Sequence, residues 1–384
     1  MSVEQTLAEL VAIDSVSSRS NAAIISYLRQ RCESRGLLVR EYPHIDANGE
    51  TKINLVAHPS VCDLAMDESQ AEAGPTFELA LVGHTDTVPY DPAWTGALRL
   101  SEQDGKLFGR GACDTKAFIA AALTAIENVD LAKLKQPLAL VFTCDEEIGC
   151  LGAKRLTTAK PFTARYAIVG EPTSLQPMRA GKGYCLAEIT VHGREAHSAY
   201  PHLGASAIAR AARLIRAIED IAEELRSDPH AAFDPPYTTL NVGLINGGTA
   251  KNVVAGECRF TLEWRTIPGQ KTDRVLDMVK KATAEIRETD PDFSCEIEAA
   301  RFDDSFETDG GSELVQFLEQ ASARTAGTVA FGTEAPSMIA LGAAAVVFGP
   351  GDIRVAHRTG EFVPVNELNK CVEILARAIQ RFCL

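Results

Sequence analysis

The sequence predicts an α/β protein: a parallel-rich mixed sheet with helices on both faces, interrupted by an inserted α+β domain. Three observations predict it. Apolar runs alternate with helical stretches through the first 180 or so residues, the pattern of parallel strands covered on both faces. After residue 180 the texture changes to alternating strands and long amphipathic helices, and the first pattern returns near residue 301. A chain of 384 residues also exceeds one ordinary core, so it calls for two domains or a large insertion. The expected parts are an α/β domain over 1–180 and 301–384 and an inserted α+β domain over 181–300.

The elements follow in order. "VEQTLAELVAI" and "AAIISYLRQRCESRG" read as helices, the second stopping at Gly36. "TKINLVAH" and "FELALVGH" read as strands; residues 59–76 between them are acidic and Pro/Gly-punctuated, so a surface loop is expected. The helix "KAFIAAALTAIENV" leads to the strand "PLALVFTC", a short helix, and the strand "YAIVGE". In the insertion, "YCLAEITVHG", "TTLNVGLING", "CRFTLEWRTIPG" and "FSCEIEA" are strand candidates around two helices, residues 203–225 and "DRVLDMVKKATAEIRE". The first of those helices is read as a packed amphipathic helix. The helix "SELVQFLEQASART", the strand "AAAVVFGPG" and a closing helix complete the chain.

Composition excludes several function classes. Lys and Arg number 38 against 52 Asp and Glu, a net charge of −14, which opposes nucleic acid and anionic membrane surfaces. The opening "MSVEQTLAEL" lacks a basic region followed by an apolar one, so no signal peptide is expected. No apolar run approaches the ~20 residues of a membrane helix. Ten scattered cysteines, none in a CxxC pair, read as reduced core residues of a cytoplasmic protein. Cys113, Cys144 and Cys150 lie near candidate ligands, but packing is the better reading of each.

The chemistry-bearing residues recur at strand ends. "LALVGHTDTV" places His84 and Asp86 after a strand, "GRGACDTKAF" places Asp114 at a helix entry, "LVFTCDEEIG" offers Glu146 and Glu147, and "AIVGEPT" offers Glu171. Far downstream, "GPGDIRVAHRTGEF" offers His357. Singly, each reads as a loop histidine, a solvated acidic run or a helix N-terminus. As an ordered set they converge, because a doubly wound sheet binds ligands at the carboxyl ends of its strands. Imidazole with carboxylate suits Zn²⁺ or a similar divalent ion. Two histidines and three carboxylates suffice for two ions sharing one carboxylate, for which Asp114 is a candidate. Asp86, two residues from His84, fits an acceptor for the other ring nitrogen. Of the adjacent Glu146 and Glu147, one can ligate while its neighbour carries a proton. "GRGACD" fails as a dinucleotide fingerprint, and neither a Walker loop nor a GxSxG elbow is present.

Together, "GHTDTVP", "GRGACDTKAF", "TCDEEIG", "GEPTSLQP", "HGREAHSAYPHLG", "WRTIPG" and "AHRTGEF" resemble the M20 metallopeptidase/deacylase family nearly end to end and in order. The resemblance implies that 1–180 and 301–384 form a catalytic domain and 181–300 an inserted lid that also mediates dimerisation, with metal ligands at His84, Asp114 (bridging), Glu147, Glu171 and His357. It implies Asp86 as the residue orienting His84 and Glu146 as general base and acid. His197 matches the oxyanion-stabilising histidine, which reaches the partner subunit's site in dimeric relatives. Asn252 and Arg265 match positions that grip the substrate. The cofactor implied is Zn²⁺, one or two per subunit, with Co²⁺ as a substitute; the substrate is a small N-acylated amino acid or a dipeptide, and the protein a homodimer. Thr115-Lys116-Ala117 stands where the family often carries Met-Lys-Gly.

Arg265 is the candidate for the substrate carboxylate, with a salt bridge inside the lid as its alternative. Glu334 is the candidate for a substrate ammonium. Lys182 is read as a solvated loop charge rather than a second carboxylate contact. A non-catalytic binder on the same fold is the competing class; the presence of Glu146 beside the full ligand set argues against it, since a binder needs no proton carrier.

Overall fold

The computed structural model describes residues 1–59 and 74–384. The core of the expected acidic surface loop, residues 60–73, lies outside the described residues. The chain divides into two compact units: Met1–Arg179, Glu307–Gly327 and Thr333–Leu384 form the first, and Ala180–Phe306 with Thr328–Gly332 the second.

The first unit is built on a mixed sheet. Six of its strands run Leu37–Ile45, Thr51–Pro59, Leu138–Thr143, Thr76–His84, Thr163–Val169 and Ala344–Val347 in spatial order. The last four are mutually parallel; the first two are antiparallel to each other, and Thr51–Pro59 is antiparallel to Leu138–Thr143. All six residues of Leu138–Thr143 are buried, as expected of a strand covered on both faces. Helices Val3–Ala12, Ala22–Ser34, Lys116–Glu127, Glu313–Ser322 and Val365–Cys383 contribute apolar faces to one core with the sheet. Ser2 starts the first of them, its hydroxyl accepting the Gln5 N–H at 3.2 Å.

The strand Leu37–Ile45 is an addition to the expected elements. It carries Arg40, Glu41 and His44 on a sheet edge, with buried and exposed positions mixed, so no apolar run marks it. The short helix Ala335–Ala340 likewise lacks the length for a periodic signal.

The second unit is a four-stranded antiparallel sheet, ordered Thr239–Gly247, Glu257–Arg265, Tyr184–His192, Ser294–Asp303. Helices Ala207–Leu225 and Arg274–Thr289 pack on it. Strict alternation in Tyr184–His192 puts Cys185, Ala187, Ile189 and Val191 in the core, and Leu214, Ile218 and Leu225 meet them from the first helix. Trp264 is fully buried, its indole N–H donating to the Thr272 carbonyl at 3.0 Å. Among the described residues no helix is long and apolar enough to cross a membrane.

Candidate metal centre

The parallel strands fix where the chemistry gathers. His84 is the last residue of its strand and pairs in register with Thr143, two residues before the Asp145-Glu146-Glu147 turn. Val82 and Val347 both pair with Val169, two residues before Glu171. Three strands therefore end side by side and deliver their following residues to one edge. Gly170 makes the exit to Glu171 possible: a Cβ there would lie 2.2 Å from the Phe118 ring. The Gly170 carbonyl accepts the Thr115 hydroxyl at 3.0 Å, tying this exit to the turn that carries Asp114. Lys116 is buried and donates to the Ile13 carbonyl at 2.8 Å, so the Thr-Lys-Ala variant of the motif forms a fully held turn; the Asp114–Thr115 peptide is cis.

Two groups of ligand atoms result. His84, Glu146 and Glu171 form one and Asp114, Glu147 and His357 the other; within each, one ligand atom per residue lies within 4.8 Å of the others. Asp114 joins them, its Oδ1 3.0 Å from His84 Nε2 and its Oδ2 3.1 Å from His357 Nε2. Glu147 Oε2 lies 3.0 Å from the same His357 nitrogen, and Glu147 Oε1 accepts the Val88 N–H at 3.2 Å. Asp145 and His357 adopt left-handed backbone, φ +56° and +58°, which both residue types tolerate better than most.

The backbone carbonyl of Asp86, at 3.0 Å, is nearer to His84 Nδ1 than its carboxylate Oδ1 at 3.6 Å. The carboxylate accepts the N–H groups of Glu146 at 3.1 Å and Glu147 at 3.3 Å, and the Ser17 hydroxyl at 2.7 Å. Asp86 thus holds the turn of the acid pair as well as the imidazole.

The electrostatics are those of a basin short of positive charge. Burial, with neighbouring carboxylates, pushes Glu146 up to about 8 and holds Glu171 well above the usual range. Burial also pushes Glu334 up to about 7. Hydrogen bonds to Asp114 and Glu147 raise His357 to about 10. Burial opposes protonation of His84, but its bonds to Asp114 and Asp86 keep its pKa well above the ordinary imidazole value. The donor set of two imidazoles and four carboxylates, with Glu334 Oε1 buried and unpartnered, fits divalent metal.

Asp145 is matched differently. With His44 and Cys144 it forms a third close group, and Lys52 Nζ lies 2.9 Å from its Oδ1, both side chains buried. The ammonium also donates to the carbonyls of Arg19, at 2.8 Å, and Ser17. Lys52 therefore neutralises the first acid of the motif, a role its place in an apolar strand gave no hint of. The cysteines pack: burial pushes the Cys113 and Cys144 thiols up, and Cys150 donates its thiol to Glu146 Oε1 at 3.3 Å.

The remaining candidates lie in the second unit. His197 is exposed and bridges to Val253, and the Asn252 carbonyl accepts the Ser198 N–H at 3.0 Å, so His197 and Asn252 are neighbours. His197 Nδ1 accepts the Ala199 N–H at 3.1 Å, which leaves the neutral ring's proton on Nε2. Arg265 pairs with Glu263 at 2.8 Å and lies over the Tyr184 ring at 3.8 Å. Lys182 corrects the expectation of a solvated charge: it is buried and donates to the Pro235 and Tyr237 carbonyls at 2.8 and 2.7 Å.

Peptidase family M20/M25/M40 matches residues 80–381. A curated acetylornithine deacetylase from Myxococcus xanthus is 51% identical over 98% of this chain and 97% of its own. Among solved structures, aminopeptidase PepT from Bacillus cereus superposes with a TM-score of 0.76 at 21% identity, over 99% of this chain and 98% of that one. The YXEP protein of Bacillus subtilis, described as a dinuclear metal-binding peptidase, superposes with a TM-score of 0.65 at 16% identity, over 99% and 98%.

Proposed function

Because the chain belongs to peptidase family M20/M25/M40, we propose that it is a metal-dependent amide hydrolase removing the acetyl group from N2-acetyl-L-ornithine, giving L-ornithine and acetate for arginine biosynthesis. The observation that carries the hydrolase reading is the pair of ligand groups joined through Asp114 with Glu146 at their edge. The substrate rests on the 51% identity to the named deacetylase.

His84, Asp114, Glu147, Glu171 and His357 are the residues that would hold Zn²⁺, one or two ions per subunit, with Co²⁺ as a substitute. A divalent ion in such a site polarises the carbonyl and lowers the pKa of water from 15.7 towards about 7. Glu146 takes the proton of the attacking water at its carboxylate and returns it to the departing α-nitrogen; its burial suits it to both tasks. Water supplies the oxygen of acetate, and its two hydrogens balance the amine and the acid. Asp86 orients His84 and fixes the turn that aims Glu146. His197 donates from Nε2 to the oxyanion of the tetrahedral intermediate. Asn252 and Arg265 grip the substrate, Arg265 taking its α-carboxylate. Glu334 is assigned to the δ-ammonium; it is buried and close enough to Glu146 and Glu171 for its charge to raise their pKa values.

A homodimer through the lid accompanies this reading. The strand Thr239–Gly247 is a sheet edge, and its Leu244 and Ile245 are 67% and 51% exposed, a surface that proteins commonly cover. Residues 1–180 and 301–384 are proposed as the catalytic domain and 181–300 as the lid, in a cytoplasmic protein.

The test is acetate release from a panel of N-acyl amino acids and dipeptides, with chelator, Zn²⁺ or Co²⁺, scored as kcat/KM. Acetylornithine is expected to lead, and only with metal present. A succinylated diamino acid, acetylcitrulline or a dipeptide in first place would reassign the substrate within the family; no turnover of any of them with metal bound would refute the hydrolase reading. Comparing acetylornithine with uncharged acetylnorvaline in Glu334→Gln tests the ammonium contact, which an equal loss on both would remove.

A further inference from the structure

The motif "AHRTGEF" contributes more to the centre than His357. Glu361, four residues on, has no solvent exposure and points its carboxylate into the turn that carries Asp114. Oε1 accepts the N–H groups of Cys113 at 2.8 Å and Asp114 at 3.0 Å. Oε2 accepts the Gly111 N–H at 3.1 Å and the Arg110 guanidinium at 2.5 Å. Four donors on consecutive or near-consecutive residues thus converge on one side chain. Gly111 makes the wrap possible with φ +76°, a conformation side chains rarely adopt, and its Cβ would meet Thr87 at 2.8 Å. Arg110 is itself buried and also reaches the Pro89 carbonyl at 3.3 Å.

We infer that Glu361 is a positioning residue for the metal centre: its carboxylate fixes the Gly111–Asp114 turn, and through it the carboxylate that joins the two ligand groups, to the turn that bears His357. The inference rests on the proposed metal centre. Both carboxylate oxygens accept from two donors each, so an amide cannot replace them. The NH₂ of glutamine would face either the Cys113 and Asp114 N–H groups or the Gly111 N–H and Arg110, leaving donors opposed and unpaired. Residues that orient ligands in this way typically cost 10–100-fold in metal affinity when changed. A purely structural carboxylate would lower thermal stability and leave affinity in the folded protein alone.

The experiment strips metal from wild type and Glu361→Gln and confirms folding by far-UV circular dichroism. Each is then titrated with Zn²⁺ against a chromophoric chelator, and with Co²⁺ read by visible absorption. Expected is a loss of about 10–100-fold in affinity for at least one equivalent, with an altered Co²⁺ spectrum. Affinities within threefold of wild type for every equivalent, with an unchanged spectrum, would overturn the inference. Should Glu361→Gln fail to fold, Glu361→Asp keeps the charge but is one methylene too short to span all four donors, and the same threshold decides. A wild type that binds no divalent ion overturns the metal-centre reading and this inference with it. One that binds two ions while the variant matches it overturns the inference alone.

Discussion

Replacing Glu146 with glutamine separates its chemical role from its structural one. In the metal-free fold its carboxyl is pushed from 4.5 up to about 8, first by burial and then by neighbouring carboxylates. The native state therefore holds a proton that the unfolded chain releases between those values. Stability from this group is fully present below about pH 4.5 and declines as pH rises to about 8. The slope is about 1.4 kcal/mol per pH unit, and the total of order a few kcal/mol, shared with Glu171 and Glu147. Glutamine resembles the protonated acid and does not titrate. Metal-free Glu146→Gln should therefore match wild type near pH 4.5 and exceed it increasingly up to pH 8, read by urea denaturation at several pH values. With metal restored, kcat should fall by about 10²–10⁴ or more while bound metal is retained. Near-normal turnover with metal in place would remove Glu146 from proton transfer. Lower stability than wild type at pH 8 would show that the ionised carboxylate is favoured in the fold, against the electrostatic argument.

Three further outcomes follow from the geometry. His197→Ala should lower kcat about 10²–10³-fold with metal content unchanged, measured by steady-state kinetics and metal analysis. Lys52→Met leaves buried Asp145 without its cation and should cost about 3–5 kcal/mol in urea denaturation, and adding Asp145→Asn should recover part of it. Gly170→Ala drives a methyl into the Phe118 ring and should cost about 1–3 kcal/mol and weaken metal binding through the displaced Glu171, seen by calorimetric titration.

Much of this candidate centre was legible because its proposed ligands obey a local rule. Apolar runs predicted parallel strands, and His84, Glu147 and Glu171 each stand at or just past such a run. What stayed hidden is held by pairing across long separations. Lys52, Arg110 and Glu361 are charged residues that any local reading assigns to the surface, yet each is buried against a partner from another part of the chain. Lys182 misled in the same way, since its satisfied ammonium depends on the carbonyls of Pro235 and Tyr237. The strand Leu37–Ile45 was missed because edge strands need no continuous apolar face. The carboxylate of Asp86, expected to serve the imidazole two residues away, also accepts from the Ser17 hydroxyl and the Glu146 N–H, partners that no local reading supplies.

The neighbours Thr163–Val169 and Ala344–Val347 lie side by side in the sheet, yet the whole second unit is threaded into the chain between them. A ribosome making this protein exposes the His84 strand early and leaves one flank of Thr163–Val169 open until the chain is nearly finished. Joining that flank closes a long loop, which slows folding, and until then an apolar edge is available to other chains. His357 and Glu361 emerge later still. On the proposed metal centre, loading would be a late event in the birth of the molecule, and a chain cut short before residue 344 would carry His84, Asp114, Glu147 and Glu171 without the residues that complete their company.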